Sequence, residues 1–124
     1  MSKLHHTHYQ ELPVYVTRDN STIRELMHPL HHAVKKQSLA EATVLVGKKT
    51  LLHCHQETEE LYFIKSGSGI MTLGDTTFEV AEGDSICIPP TTPHCIENSG
   101  DVELTILCCC SPAYSHEDTV LLED

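Results

Sequence analysis

The stretch His53-Cys54-His55-Gln56-Glu57-Thr58-Glu59-Glu60-Leu61-Tyr62-Phe63-Ile64 decides how this chain is read. Successive side chains of an extended strand point to opposite faces, so His53 and His55 share a face and Cys54 points away from it. The polar run Gln56, Glu57, Thr58, Glu59 suits a hairpin loop that returns the chain antiparallel beside the first strand, setting Glu60 opposite the two histidines. From Glu60 onward the segment reads as a buried strand, and by the same alternation Tyr62 and Ile64 lie on the Glu60 face. With His94 downstream, three imidazoles and one carboxylate can share one inward surface, a donor set that binds a transition metal. The predicted metal ligands are His53, His55, Glu60 and His94.

Short strands fill the remainder. Segments 12–17, 39–46, 50–55, 61–65, 70–73, 76–80, 85–88 and 102–110 have strand character, with Ala40, Ala42, Val44 and Val46 on one side of the second. Turns are marked at Gly47, Lys48, Lys49, at Gly67, Ser68, Gly69, at Gly74, Asp75, and at 98–101. The glycine pairs are flanked by β-branched and aromatic residues and open no helix, so they suit hairpins and not a phosphate cradle. Thr22 and Glu25 can be read as a helix-capping pair, and 23–27 equally as extended chain.

The spacing carries a resemblance. Gly47, five residues, His53, Cys54, His55, four residues, Glu60, six residues and Gly67 resemble the first motif of the cupin superfamily. Gly83, five residues, Pro89, Pro90, Thr91, two residues, His94, three residues and Asn98 resemble the second, except that Thr91 stands where the family has glycine. A β-branched residue is disfavoured at positive φ, so this turn is expected to take a different local form. The tail Ser111-Pro112-Ala113-Tyr114-Ser115-His116-Glu117-Asp118 and residues 119–124 resemble the ending of small single-domain bacterial cupins related to mannose-6-phosphate isomerase.

The resemblance implies an all-β, double-stranded β-helix (jelly-roll) barrel with the metal inside one mouth. It makes residues 1–124 one domain, with a barrel core at about 36–111, an N-terminal arm 1–35 and a C-terminal arm 112–124. It favours extended chain at 23–27, and it implies a twofold homodimer paired through outer sheets.

The chain has ten histidines, and His5, His6, His8, His28, His31, His32 and His116 lie outside the motifs, so position and not abundance singles out the other three. Three histidines and a glutamate converging in a barrel without metal would leave several polar groups desolvated, and a buried carboxylate without a partner is costly. Iron or manganese is the first expectation for the one divalent metal per chain; zinc, nickel and copper also suit imidazole and carboxylate, and magnesium and calcium suit them less. Four protein donors on an octahedral ion leave two adjacent positions, for a substrate with two nearby oxygens or for one oxygen donor with dioxygen. A redox-active ion suits dioxygenase-like chemistry, and a Lewis acid suits isomerase- or lyase-like chemistry through an enediolate.

Glu57, Tyr62 and His116 are the candidate acid–base groups. Tyr114 and His116 either close over the barrel mouth or belong to a packed C-terminal arm that Pro112 begins. Arg24 is an anion anchor if it faces the mouth and a surface cation if it does not. The contrasting expectation is a non-catalytic barrel that holds a metal or metabolite, because fold alone does not fix function.

Composition sets outer bounds. At 124 residues and 40% hydrophobic content the chain can bury roughly two thirds of its unfolded surface, enough for one independent core. Its net charge of −10, without clustered Lys and Arg, argues against nucleic acid and acidic membrane surfaces as partners. Solubility should fall toward the pI of about 5.3 as histidines protonate. No segment reads as a secretory signal or a membrane span, so a cytoplasmic location is expected. The six cysteines include the consecutive run Cys108, Cys109, Cys110, whose neighbours bridge only under severe strain, so reduced thiols are expected.

Overall fold

The computed structural model describes residues 3–124. Two antiparallel sheets face each other. The first has the order β1 (Val14–Val16), β2 (Thr22–Met27), β3 (Ser38–Val44), β10 (Leu104–Ser111), β5 (Glu59–Ser66), β8 (Ser85–Ile88). The second has the order β11 (Thr119–Leu121), β4 (His53–His55), β9 (His94–Asn98), β6 (Ser68–Leu73), β7 (Thr76–Ala81). Among the described residues the one helical element is a single 3-10 turn at Tyr9–Glu11. This is the expected jelly roll.

Alternation along the strands builds the core. In β5 Glu60, Tyr62 and Ile64 are buried while Leu61 and Phe63 are exposed, and in β10 Leu104, Ile106, Cys108 and Cys110 are buried. Ile64, Met71, Ile88, Ile96, Leu104 and Ile106 are almost wholly enclosed between the sheets, and each such side chain contributes about 1.5–3 kcal/mol relative to exposure. Gly67 closes the tight β5–β6 turn at φ +88°, where a Cβ would meet the Glu103 carbonyl oxygen at 2.7 Å, so both conformation and space demand glycine.

Several expectations are corrected. The predicted hairpin between the histidine strand and the Glu60 strand does not form. β4 spends its two edges on β9 and β11, and β5 pairs with β10 and β8. Gln56–Thr58 therefore crosses from one sheet to the other, held by Asp118, whose backbone oxygen accepts from Gln56 N and whose carboxylate accepts from Glu57 N and Thr58 N. Val46 lies beyond the end of β3 and is half exposed.

Strand β9 was not anticipated, since His94-Cys95-Ile96-Glu97-Asn98 lacks an apolar run; pairing with both β4 and β6 forms it. The two arms are integral to the sheets: β1 and β2 extend the first, and β11 ends the second. Thr91 does adopt positive φ, +65°. Its amide donates to the His55 carbonyl at 2.7 Å, so this turn retains the conformation that glycine would take, against expectation. The six cysteines are all free thiols.

Candidate metal centre

His53 and His55 project from β4 and His94 from β9, its neighbour, with His53 directly opposite His94. All three are buried, and one ring nitrogen of each lies within 4.8 Å of the other two. Glu60 reaches them from the facing sheet: its Oε1 is 3.2 Å from His55 Nε2 and 3.6 Å from His94 Nε2. The three predicted histidines thus meet, and Glu60 reaches two of them, His55 and His94, from across the barrel.

Hydrogen bonds behind the rings determine what faces inward. His53 Nδ1 is 2.7 Å from the Leu51 carbonyl oxygen and His94 Nδ1 is 3.0 Å from that of Thr92. A carbonyl only accepts, so both Nδ1 atoms carry the proton. His55 Nδ1 is 3.0 Å from the Thr119 hydroxyl, which donates its own hydrogen to the Ser115 carbonyl, so here too Nδ1–H is the donor. As neutral imidazoles, all three rings therefore present Nε2 lone pairs to the interior.

Glu60 Oε1 adds a fourth hydrogen-free donor, while Oε2 accepts from the Cys110 thiol at 3.4 Å. Glu60 Oε1 and His94 Nε2 are buried without a hydrogen-bond partner. Lone pairs converging without hydrogens repel one another unless a cation lies between them, and this donor set fits a transition ion.

Burial alone pushes the Glu60 carboxyl up; hydrogen bonds and positive charge from His55 and His94 hold it at about 2 only when those rings carry a proton on Nε2 in place of a metal ion. Burial is the main cause that lowers His53, which favours its neutral form. Burial and the Glu60 charge push the Tyr62 phenol well up, so it stays protonated.

Sequence reading missed Asp19, in the β1–β2 turn, whose Oδ2 lies 3.4 Å from His53 Nε2. The signal was present in Thr17-Arg18-Asp19-Asn20-Ser21, a run of turn-forming residues between two strands. It also missed Thr119 and Cys110 as supports for His55 and Glu60.

The acid–base candidates part company. Tyr62 lines the inner chamber with its ring 6.3 Å from that of His94. Glu57 is exposed on the crossing loop and does not line the chamber, because Asp118 fixes its backbone with the side chain outward. His116 is also exposed; its Nδ1 meets the Tyr114 hydroxyl at 3.2 Å, and it borders a separate outer pocket. Tyr114 lines both spaces, its ring 5.8 Å from that of His55. Arg24 faces away from the mouth, donating to the carbonyls of Tyr9 and Leu12 beneath the Tyr9 ring.

The inner chamber has a volume of about 40 Å³ and the outer pocket about 400 Å³. Glu25 and Tyr114 form the wall common to both.

A two-sheet antiparallel barrel with three histidines and a glutamate gathered inside defines a small jelly-roll protein with a candidate mononuclear metal site. The chain belongs to the cupin family: the Cupin domain model matches residues 40–110. It is 57% identical over 121 residues to the uncharacterized protein MJ1618 of Methanocaldococcus jannaschii, covering 98% of this chain and 97% of that one. It is 34% identical over 79 residues to the mannose-1-phosphate guanylyltransferase RfbM of Salmonella typhimurium, covering 64% of this chain but 16% of the enzyme. Among solved structures it resembles the oxalate decarboxylase of Lactobacillus farciminis in its formate complex, with TM-score 0.78 and 23% identity over 93% of this chain and 35% of that one. That likeness is one of fold. No helix among the described residues is long and apolar enough to cross a membrane.

Proposed function

We propose that this chain is a mononuclear metalloenzyme acting on a small molecule with oxygen donors, its ion held by His53, His55, Glu60 and His94. The observation that carries this reading is the set of contacts behind the rings: each Nδ1 lies against an oxygen on the outer side, which turns all three Nε2 atoms inward beside a Glu60 oxygen buried without a hydrogen-bond partner. A bound ion would supply Lewis acidity, and redox chemistry if it is iron or manganese, the metals we favour over zinc, nickel and copper.

The chain's own groups divide the remaining work. The chamber of about 40 Å³ has room for an ion and a few small oxygen donors, so the reactive end of the substrate enters it. The body of the substrate occupies the outer pocket beside Tyr15, Glu25 and Tyr114. Tyr62, buried in the chamber wall and protonated, would donate to a substrate oxygen. The apolar walls from Ile23, Ile96 and Ile106 exclude water. Both dioxygenase-like and isomerase- or lyase-like chemistry are compatible with this arrangement.

A second reading, a barrel that holds a metal or metabolite without turnover, is favoured by the smallness of that chamber. We also propose a cytoplasmic homodimer. Its interface would use the outer face of the first sheet, where Leu39, Cys109 and Leu61 form one cross-strand row beside the exposed Phe63; contiguous exposed apolar surface of this kind marks contact sites.

Metal analysis of untagged protein purified without chelators, beside a His94→Ala variant, tests the site. Near-stoichiometric metal that disappears in the variant supports it, and a wild type that stays metal-free after reconstitution overturns it. Oxygen uptake with enol, diketone and thiol substrates, and product analysis with sugar and hydroxy-acid substrates, then separate enzyme from binding barrel.

A further inference from the structure

Asp19 enters the barrel from the β1–β2 turn, outside the span matched to the Cupin domain. Its Oδ1 accepts from Ser21 N at 3.1 Å, from Ser21 Oγ at 2.7 Å and from Thr17 Oγ1. The carboxylate is thereby locked with Oδ2 turned toward the chamber it lines, 3.4 Å from His53 Nε2.

Leu51 couples the two residues: its amide donates to the Asp19 carbonyl at 2.8 Å, and its carbonyl accepts from His53 Nδ1. With Nδ1 so committed, Nε2 faces the Asp19 oxygen, and the pair is joined either by a proton on Nε2, as an ion pair, or by a metal ion between them.

We propose that Asp19 is a fifth protein ligand of the metal centre, binding the ion through Oδ2. The inference rests on the metal-binding reading above and extends it. With metal–donor distances of about 2.1 Å, neighbouring donors on one ion stand about 3.0–3.4 Å apart. The Asp19–His53 separation of 3.4 Å and the Glu60–His55 separation of 3.2 Å each suit neighbouring donors, and because only the three imidazole nitrogens lie mutually within 4.8 Å, both carboxylates would draw inward as the ion binds. Two carboxylates match the charge of a divalent cation. A six-coordinate ion would then keep one position for exogenous ligand instead of two, which selects a substrate that binds through a single oxygen.

The test is titration of the chelator-stripped full chain with Co(II), read as affinity and as visible absorption, for wild type and Asp19→Asn. Asparagine keeps an Oδ1 to accept from Thr17 and Ser21, and apo melting curves check that the turn survives. The expected result is at least a tenfold loss of affinity together with a changed absorption spectrum. Equal affinity and an identical spectrum overturn the proposal. So does weaker binding with an unchanged spectrum, which would assign Asp19 to positioning His53. A wild type that fails to bind Co(II) defeats the metal-binding reading itself, and this inference with it. As a check that needs no variant, infrared difference spectra of wild type carrying carboxyl-13C aspartate should show a carboxylate stretch that shifts on Co(II) addition; no shift overturns the proposal.

Discussion

His55 donates from Nδ1 to the hydroxyl of Thr119, 3.0 Å away and 64 residues later in the chain. The C-terminal arm thus orients a candidate ligand at the heart of the barrel, with Thr119 paired to His55 across β11 and β4. Thr119→Val keeps the shape of the residue but removes the acceptor that fixes this ring. Metal affinity should fall by about 10–100-fold, as losses of such supporting contacts do. Competition with a chromophoric chelator measures the change, and an unchanged circular dichroism spectrum assigns it to the site.

Cys110 supports Glu60 in the same way, through its thiol on Oε2. Burial, then the Glu60 charge, pushes the thiol up, so it remains a protonated donor. Cys110→Ala should weaken metal binding by about tenfold, and Cys110→Ser, which keeps a donor, should recover most of that loss. Equal affinities for alanine and serine would show that the hydrogen bond is immaterial.

Thr91 holds positive φ in the turn just ahead of His94. A β-branched residue there costs about 1–2 kcal/mol, and glycine gives back part of the relief through the entropy of the unfolded chain. Thr91→Gly should therefore stabilise by about 0.5–1 kcal/mol, raising the melting temperature by a few degrees. A lower melting temperature would show that the Thr91 hydroxyl bond to Pro90 O outweighs the strain.

Asn98, the last residue of the second motif, is structural. Its buried amide donates to the carbonyls of Val44 and Val102 and accepts from Gly100 N, tying β9 to the end of β3 and to the following turn. Asn98→Ala leaves these groups unsatisfied and should cost about 3 kcal/mol in chemical denaturation, with metal stoichiometry retained in the folded fraction.

Glu41 provides a pH-dependent contribution. Burial raises its carboxyl, but hydrogen bonds from Tyr9 and Lys65 outweigh burial and lower it below the ordinary 4.5. The folded state therefore resists protonation longer than the unfolded chain does. This contribution is complete above pH 4.5 and is lost as pH falls toward the depressed value. The urea midpoint should fall more steeply from neutral to acid pH for wild type than for Glu41→Gln; parallel slopes would remove Glu41 from the account.

Strand alternation and motif spacing made much of this protein legible in its sequence. His53, Cys54 and His55 had to split between two faces, Glu60, Tyr62 and Ile64 had to share one, and the order of glycines, histidines and glutamate named the barrel and the four candidate ligands inside it. These are local or collinear properties, and a chain carries them before it folds. The tertiary structure decided what depends on contacts between distant segments. It put Glu60 on the sheet facing the histidines and not beside them, because β9 and β11 occupy both edges of β4. It turned Glu57 outward through Asp118, moved His116 to an outer pocket, and held Thr91 at positive φ. It brought Asp19, Thr119 and Cys110 to the site from three separate parts of the chain. No periodicity encodes such meetings: each depends on which strand edges are already paired and which buried atoms still lack a partner.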